Sequence, residues 1–224
     1  MKARLVGYTQ PAADFKDNFH DVQSLIAYCA RVSNPSNQMN NETGEKLIRY
    51  LIKHKHWSPL EMASATIEVE TTRDIARQFL RHRSFSFQEF SQRYADPTEG
   101  MENVYVERKA RLQDPKNRQN SIIHDDLKLH DAWAVHQRAV WQRAMQAYKW
   151  AIKNGIAKEQ ARAVLPEGNT LSRLYVNGTL RSWVHYIELR SGNGTQLEHI
   201  QLARECAKAI TKIFPMAEEF LSDG

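Results

Sequence analysis

The chain is expected to be an α+β protein, mostly helical with a small antiparallel or mixed sheet. Three observations predict this: apolar residues recur at helical spacing through most of the chain, one segment alternates clearly with the two-residue period of a strand, and no strand-helix-strand rhythm is present. With 42% hydrophobic content, its 224 residues are enough for a core of ordinary size, so one domain spanning 1–224 is expected.

In chain order, residues 2–9 mix polar with β-branched and aromatic types and read as a short first strand. From Asp21 to Val32, Val22, Leu25, Ile26, Cys29 and Ala30 recur at helical spacing, and Pro35 then breaks the chain. Thr43 can cap a second helix running to about His54, with Leu47, Tyr50 and Leu51 on one face and Ser58-Pro59 beyond it. Residues 64–70 set Ala65, Ile67 and Val69 against Thr66, Glu68 and Glu70, the pattern of a strand with one wet face. Thr71-Thr72-Arg73-Asp74 has the form of a capping box opening a helix through Phe79 and Leu80. After Asp96-Pro97, a polar stretch to about Ile122 reads as a long loop. A long helix is predicted over 125–153, offering Trp133, Trp141, Met145, Tyr148 and Ala151 for core or subunit packing and stopped by Asn154-Gly155. Shorter helices follow at 157–164, 179–190 and 196–214.

Composition narrows the function. A net charge of +5 favours anionic partners, but 26 acidic residues are interspersed among 31 basic ones, which suits a globular enzyme better than a basic nucleic-acid tail. The two cysteines, Cys29 and Cys206, form no C-x-x-C pair, and each sits on an apolar helical face, so a disulfide framework, a structural zinc site and an activated thiol are all disfavoured. His54 and His56 lack a neighbouring Cys or Asp cluster, and no metal is expected. No run of 18 apolar residues occurs, and the N-terminus MKARLVGYTQ lacks the apolar stretch of a signal peptide, which points to a soluble protein of a reducing cytoplasm without a membrane partner. A P-loop is absent, and the single G-x-G, Gly192-Asn193-Gly194, follows a helix, so a dinucleotide fold of the strand-helix kind is excluded.

The chemistry concentrates between Arg73 and Tyr94. Arg73, Arg77 and Arg81 are spaced by four and would stack on one helical face, where like charges repel by roughly a few tenths of a kcal/mol per pair unless an anion or acids from elsewhere offset them. Arg81-His82-Arg83 then adds donors, Ser84, Ser86 and Ser91 hydroxyls, Glu89 an acceptor and Arg93 another guanidinium. Arginine's planar fork suits phosphates and the carbonyl edges of a pyrimidine or flavin. These residues fit a nucleotide cradle; a basic helical module contacting nucleic-acid phosphates is the alternative.

The segment RHRSFSFQEFSQRY, residues 81–94, resembles the signature of the flavin-dependent thymidylate synthases at nine fixed positions: Arg81, His82, Arg83, Ser86, Gln88, Glu89, Ser91, Arg93 and Tyr94. Gln88 stands where many members have Asn. The similarity continues in order through Ala30-Arg31-Val32-Ser33, His54 to Glu61, Arg77-Gln78, Ala161 to Pro166, Arg181-Ser182-Trp183, Leu189-Arg190 and Gln196-x-Glu198.

The resemblance implies reductive methylation of dUMP to dTMP without an enzyme nucleophile. NADPH-reduced FAD would deliver hydride, and the methylene would come from methylenetetrahydrofolate. By position, Arg190 corresponds to the catalytic arginine at the uracil edge, favouring the N3-deprotonated form. Gln78, Arg81, Glu89, Ser91, Gln92, Arg93, Arg162 and Arg190 fall where the family binds dUMP. Ser58, Arg81, His82, Arg83, Glu89, Thr179, Arg181 and His185 fall where it binds FAD, with Asn177 an alternative to Thr179, and His56 lies near flavin and folate. The family's homotetramer, with sites shared between subunits, is implied as well. Gly194 and Thr195 stand where the family often has a His next to a small residue, so any role of that His is lost or moved. An inactive member of the same fold is a further alternative. Glu61 and Glu198 could be active-site acids or ion-pair partners.

Overall fold

A computed structural model describes residues 1–15, 19 and 21–221. Its centre is a four-stranded antiparallel sheet in the order β1-β2-β6-β3, formed by β1 (Lys2–Tyr8), β2 (Ser64–Thr72), β6 (Leu171–Thr179) and β3 (Ser86–Glu89). β2 and β6 pair along their full length, from Ser64↔Thr179 to Thr72↔Leu171. The alternation anticipated in β2 orients the sheet: Ala65, Ile67 and Val69 are fully buried beside Leu174 and Val176 of β6. On the other face the register juxtaposes opposite charges. Arg173 binds Glu70 at 2.6 Å, Arg4 binds Glu68 at 2.9 Å, and the Tyr175 hydroxyl donates to Glu68 at 2.9 Å.

The inner face is covered by α7 (Leu180–Ser191) and α8 (Leu197–Thr211). Trp183, Tyr186, Ile187, Leu202, Cys206 and Ile210 pack there with Phe79 and Phe85, each burial of a large apolar side chain being worth about 1.5–3 kcal/mol. Trp183 satisfies its own polar atom by donating to the Ala65 carbonyl at 3.1 Å, which fixes α7 across β2. α1 (Val22–Ala30) and α2 (Gly44–Lys53) pack on each other and contribute Val22, Ile26 and Ile48 to the same core. Among the described residues, no helix is long and apolar enough to cross a membrane.

Several sequence expectations are corrected. β3 and β6 were not anticipated: inward Ser172 and Gly178 dilute the apolar alternation of β6, and β3 lies inside a segment whose polar residues suggested ligand binding alone. The capping box at Thr71–Asp74 does not form. Thr72 precedes α3 (Arg73–Phe79) without a side-chain cap, because its hydroxyl and the Asp74 carboxylate both accept from Arg108, at 2.8 and 2.7 Å. Thr43 precedes α2 but likewise supplies no side-chain cap. A complete capping box opens α1 instead, with Asp21 accepting from the Ser24 N–H at 2.7 Å and Ser24 reaching back.

The supposed loop over 97–122 holds α4 (Pro97–Gly100) and a hairpin of β4 (Arg111–Gln113) and β5 (Ser121–Ile123). The long helix predicted over 125–153 is α5 (Leu127–Lys153, 27 residues), but only Tyr148 and Ala151 of the residues offered for packing are buried; Trp133 is 45% exposed. The helix predicted over 157–164 is α6 (Lys158–Ala161) followed by a short 3-10 turn. Cys29 is half-buried, less enclosed than its apolar face suggested, whereas Cys206 is fully buried.

Candidate active site

α3 leaves the sheet after β2 and returns through a tight turn into β3, and this excursion presents the motif. The His82 N–H donates to the Phe79 carbonyl at 2.9 Å, closing the turn so that Phe79 is buried and Arg81 and Arg83 are exposed. Arg81 therefore lies beyond α3 and does not extend the Arg73, Arg77 stack. Arg73 and Arg77 instead share Glu89, at 3.4 and 3.1 Å, and Glu167, at 3.7 Å each. Glu89 also accepts from the Ser172 hydroxyl at 2.9 Å. The repulsion between these arginines is thus offset by acids from β3 and from the turn before β6.

His82 turns inward towards α7. Its Nε2 accepts from Arg190 Nε at 2.9 Å, which requires a neutral ring with the proton on Nδ1. Burial, and then the adjacent Arg190 charge, push the His82 pKa down to about 4, so the ring remains an acceptor at neutral pH. Only one of the five N–H bonds of Arg190 is used there. No hydrogen bond of its terminal Nη groups occurs among the described residues.

Gln78, one turn before the motif, faces the N-terminus of α8. Its carbonyl oxygen lies 3.2 Å from His199 Nδ1, and its nitrogen donates to Gln196 Oε1 at 2.8 Å. Gln196 donates in turn to Glu198 at 3.0 Å, and Arg111 holds Glu198 with two bonds of 2.7 and 2.9 Å. His199 is fully buried, and burial, with Arg190 and His82 nearby, lowers its pKa to about 3. Sequence analysis missed His199 and Arg111; the Gln196-x-Glu198 pair was the signal that could have led to them.

The other residues assigned to dUMP lie at the end of the motif and after α6. Ser91 accepts from the Arg93 N–H at 3.4 Å, Arg93 reaches Glu159 at 3.4 Å, and Gln92 is 2% exposed with its side-chain nitrogen unpartnered. Arg162 is half-buried in the 3-10 turn after α6. Among the described residues Arg81, Arg83 and Arg162 form no ion pair, which leaves a surplus of cationic donors.

The residues assigned to FAD are more dispersed. Arg181 is paired with Glu61 at 2.5 Å, and His185 sets its ring edge-to-face on Trp57 at 4.3 Å. Ser58 is exposed at the start of the adjoining 3-10 turn. Thr179 is the N-cap of α7, accepting from the Ser182 N–H at 3.3 Å, while Asn177 donates to Thr66 at 2.8 Å on the exposed face. His56 is exposed near Tyr50 and His54. Glu61 and Glu198 are both ion-pair partners.

The chain thus joins His82 to Arg190 and Gln78 to the α8 terminus, whereas Glu89 lies with Arg73 and Arg77, and Arg181 and His185 engage Glu61 and Trp57, on either side of Ser58. A cavity of about 950 Å³ lined by Met1, Lys2, Glu70, Met101, Asn103 and Arg173, among others, contains none of the predicted site residues. Neither His82 nor Arg190 lines it, and the paired donor and acceptor at those two residues mark the candidate site instead.

The cysteines are poor candidates for a nucleophile. Burial raises the pKa of both the Cys29 and Cys206 thiols, and Cys206 lies within the apolar core.

Comparison with known proteins agrees with the motif. Residues 15–216 match the family model described as thymidylate synthase complementing protein. The chain is 48% identical over 217 residues to a probable flavin-dependent thymidylate synthase of Paramecium bursaria Chlorella virus 1, covering 96% of each chain. It is 45% identical over 215 residues to the flavin-dependent thymidylate synthase of a Synechocystis species, again covering 96% of each. Among solved structures, the UMP/dUMP methylase PolB of Streptomyces cacaoi bound with 5-Br dUMP superposes with a TM-score of 0.80 at 26% identity, covering 98% of this chain and 93% of that one. With the nine-position motif, the His82–Arg190 bond and matches spanning nearly the full length, the chain belongs to the flavin-dependent thymidylate synthases.

Proposed function

We propose that this chain, acting as one domain, methylates dUMP to dTMP using FAD, NADPH and methylenetetrahydrofolate. The observation that carries the proposal is Arg190, anchored through Nε by a neutral His82 beside the signature turn with its Nη groups left over. A guanidinium fixed in this way binds the carbonyl edge of a uracil and stabilises negative charge spread from N3, which makes C5 more nucleophilic without an enzyme thiolate. Gln78 adds an amide donor nearby, while Arg162, Arg93 and Ser91 suit the phosphate.

The donor set also fits a flavin dinucleotide. Arg81 and Arg83 are exposed cations without acid partners among the described residues, suited to its pyrophosphate, while on the dUMP side the buried unpartnered nitrogen of Gln92 marks a polar position awaiting an acceptor. Ser58, His82, Arg181, His185, Glu89 and Thr179 or Asn177 would complete the contacts, with His56 towards the folate. FAD supplies the hydride transfer that no side chain here can perform.

Arg81 and Arg83 on the motif and Ser58 on the 3-10 turn are exposed, which leaves them open to a site completed by a second copy. Exposed Leu127, Trp133, Val135, Val140 and Trp150 on α5 supply the apolar surface for a homotetramer. A cytoplasmic location fits the free thiols.

Purified protein decides the matter. Flavin absorbance near ~450 nm, characteristic of the bound isoalloxazine, is expected, with NADPH oxidation stimulated by dUMP and dTMP formed when methylenetetrahydrofolate is added. Absence of dTMP under anaerobic turnover refutes the reading; tight salt-sensitive nucleic-acid binding without flavin supports the basic-module alternative instead.

A further inference from the structure

The chain of bonds behind Gln78 has a direction, and its far end lies outside every residue assigned to substrate or cofactor. We infer that the partly buried Arg111–Glu198 ion pair is a positioning device that locks the Gln78 side-chain amide, through Gln196, with its nitrogen as donor and its oxygen on His199. The inference rests on the thymidylate synthase reading for the identity of the nucleotide, dUMP.

The direction follows from donor and acceptor chemistry alone. Arg111 can only donate, and its two bonds of 2.7 and 2.9 Å hold Glu198 as a carboxylate, which can only accept. The Gln196 group 3.0 Å from that carboxylate must therefore be its NH2, which turns Gln196 Oε1 towards Gln78. The group of Gln78 that meets this oxygen at 2.8 Å must again be the NH2, leaving Gln78 Oε1 to accept from His199 Nδ1–H at 3.2 Å. One fixed charge pair thus decides two amide orientations and one imidazole tautomer. His199 Nε2 is left as a buried lone pair without a partner, and one hydrogen of the Gln78 NH2 remains to donate.

Burial alone would raise the Glu198 pKa, but Arg111, the residue's own backbone N–H and Gln196 bring it down to about 2, so the carboxylate persists at working pH. Glu198 is 7% exposed, and Arg111 comes from β4, so a hairpin remote in sequence sets the orientation of a residue on α3. The fixed NH2 matches a nucleobase carbonyl and rejects a donor at the same position, because a buried donor facing another donor loses a hydrogen bond.

FAD-loaded Glu198→Gln protein provides the test. An amide at 198 can donate as well as accept, so the order is no longer enforced. In 15N-histidine spectra without nucleotide, wild-type His199 is expected as the Nδ1-protonated tautomer and the variant as a mixture; an unchanged tautomer overturns the inference. Calorimetric titration with dUMP is expected to show about tenfold weaker binding, the weight of one neutral hydrogen bond, and a Kd within about twofold of wild type, below the weight of such a bond, overturns it.

In a Gln78→Met background, Glu198→Gln should cause no further loss of dUMP affinity, whereas a purely structural effect would multiply. Should Glu198→Gln fail to fold, Gln196→Met breaks the same link while sparing the ion pair and is read by the same measurements. Wild-type protein that binds no dUMP refutes the substrate assignment, while the histidine spectrum still decides the relay.

Discussion

Arg190 and His82 form the smallest unit on which the proposed chemistry depends, and each limits the other. Arg190→Lys keeps the charge but removes the fork that reaches His82 and a uracil edge together. Anaerobic dTMP formation by this variant is expected to fall by about 100-fold or more, the scale of losing one preorganised charge-stabilising donor; a decrease of less than about tenfold, a single hydrogen bond's weight, would remove Arg190 from the chemical step. Conversely, the Cys29→Ala, Cys206→Ala double variant is expected to keep its turnover with the fold intact, because burial holds both thiols protonated. Loss of activity in a folded double variant would restore a thiol mechanism. His82 also makes stability pH-dependent. Its folded pKa of about 4 is below the ordinary 6.5, so the unfolded chain binds more protons between those values and stability falls as pH is lowered from 6.5 towards 4. Urea denaturation across this range should show a shallower pH slope for His82→Gln, which retains an acceptor for Arg190 but cannot titrate.

At the scale of elements, the β6-to-α7 junction positions the active-site helix. Gly178 lies where a Cβ would come within 2.4 Å of the Phe85 ring, and Thr179 caps the helix that carries Arg181, His185 and Arg190. Gly178→Ala is expected to destabilise the fold by about 1–3 kcal/mol through overpacking, and Thr179→Ala by about 1 kcal/mol through the lost cap, both measured by urea denaturation. Because the cap supports α7, activity lost in Thr179→Ala should recover when the protein is assayed well below its midpoint temperature; persistent loss would assign Thr179 a direct contact with FAD. α3 shows the same coupling of fold and site. Its two arginines are neutralised by Glu89 and Glu167, so the cations left over are those of the following turn, Arg81 and Arg83, and not the helical stack itself.

For the whole molecule, assembly is the open variable. α5 exposes Trp133, Val135, Val140 and Trp150 along a 27-residue helix, an apolar surface suited to burial against another copy. Val135→Glu with Trp150→Glu is expected to reduce the mass measured by light scattering and to lower turnover together with it. A monomeric variant with full activity would show that one chain holds a complete site.

Much of the candidate site was legible as a set of residues because its motif is local. Nine fixed residues in fourteen define the turn, and ordered matches over nearly the whole length connect it to Arg190. β2 and the long helices were legible because a single alternating or 3.6-residue apolar pattern covers each. β6 was hidden by inward Ser172, whose hydroxyl serves Glu89, and Gly178, whose lack of a side chain makes room for Phe85. The cap expected at Thr72 was displaced by Arg108, more than thirty residues later in the chain. The neutral state of His82, the sharing of Glu89 by Arg73 and Arg77, and the relay from Arg111 to Gln78 likewise depend on burial and on partners far apart in sequence. The sequence by itself determined the family and the residues available for its chemistry. Tertiary structure alone decided their protonation and orientation, because both are set by the groups that folding brings within hydrogen-bond distance and removes from water.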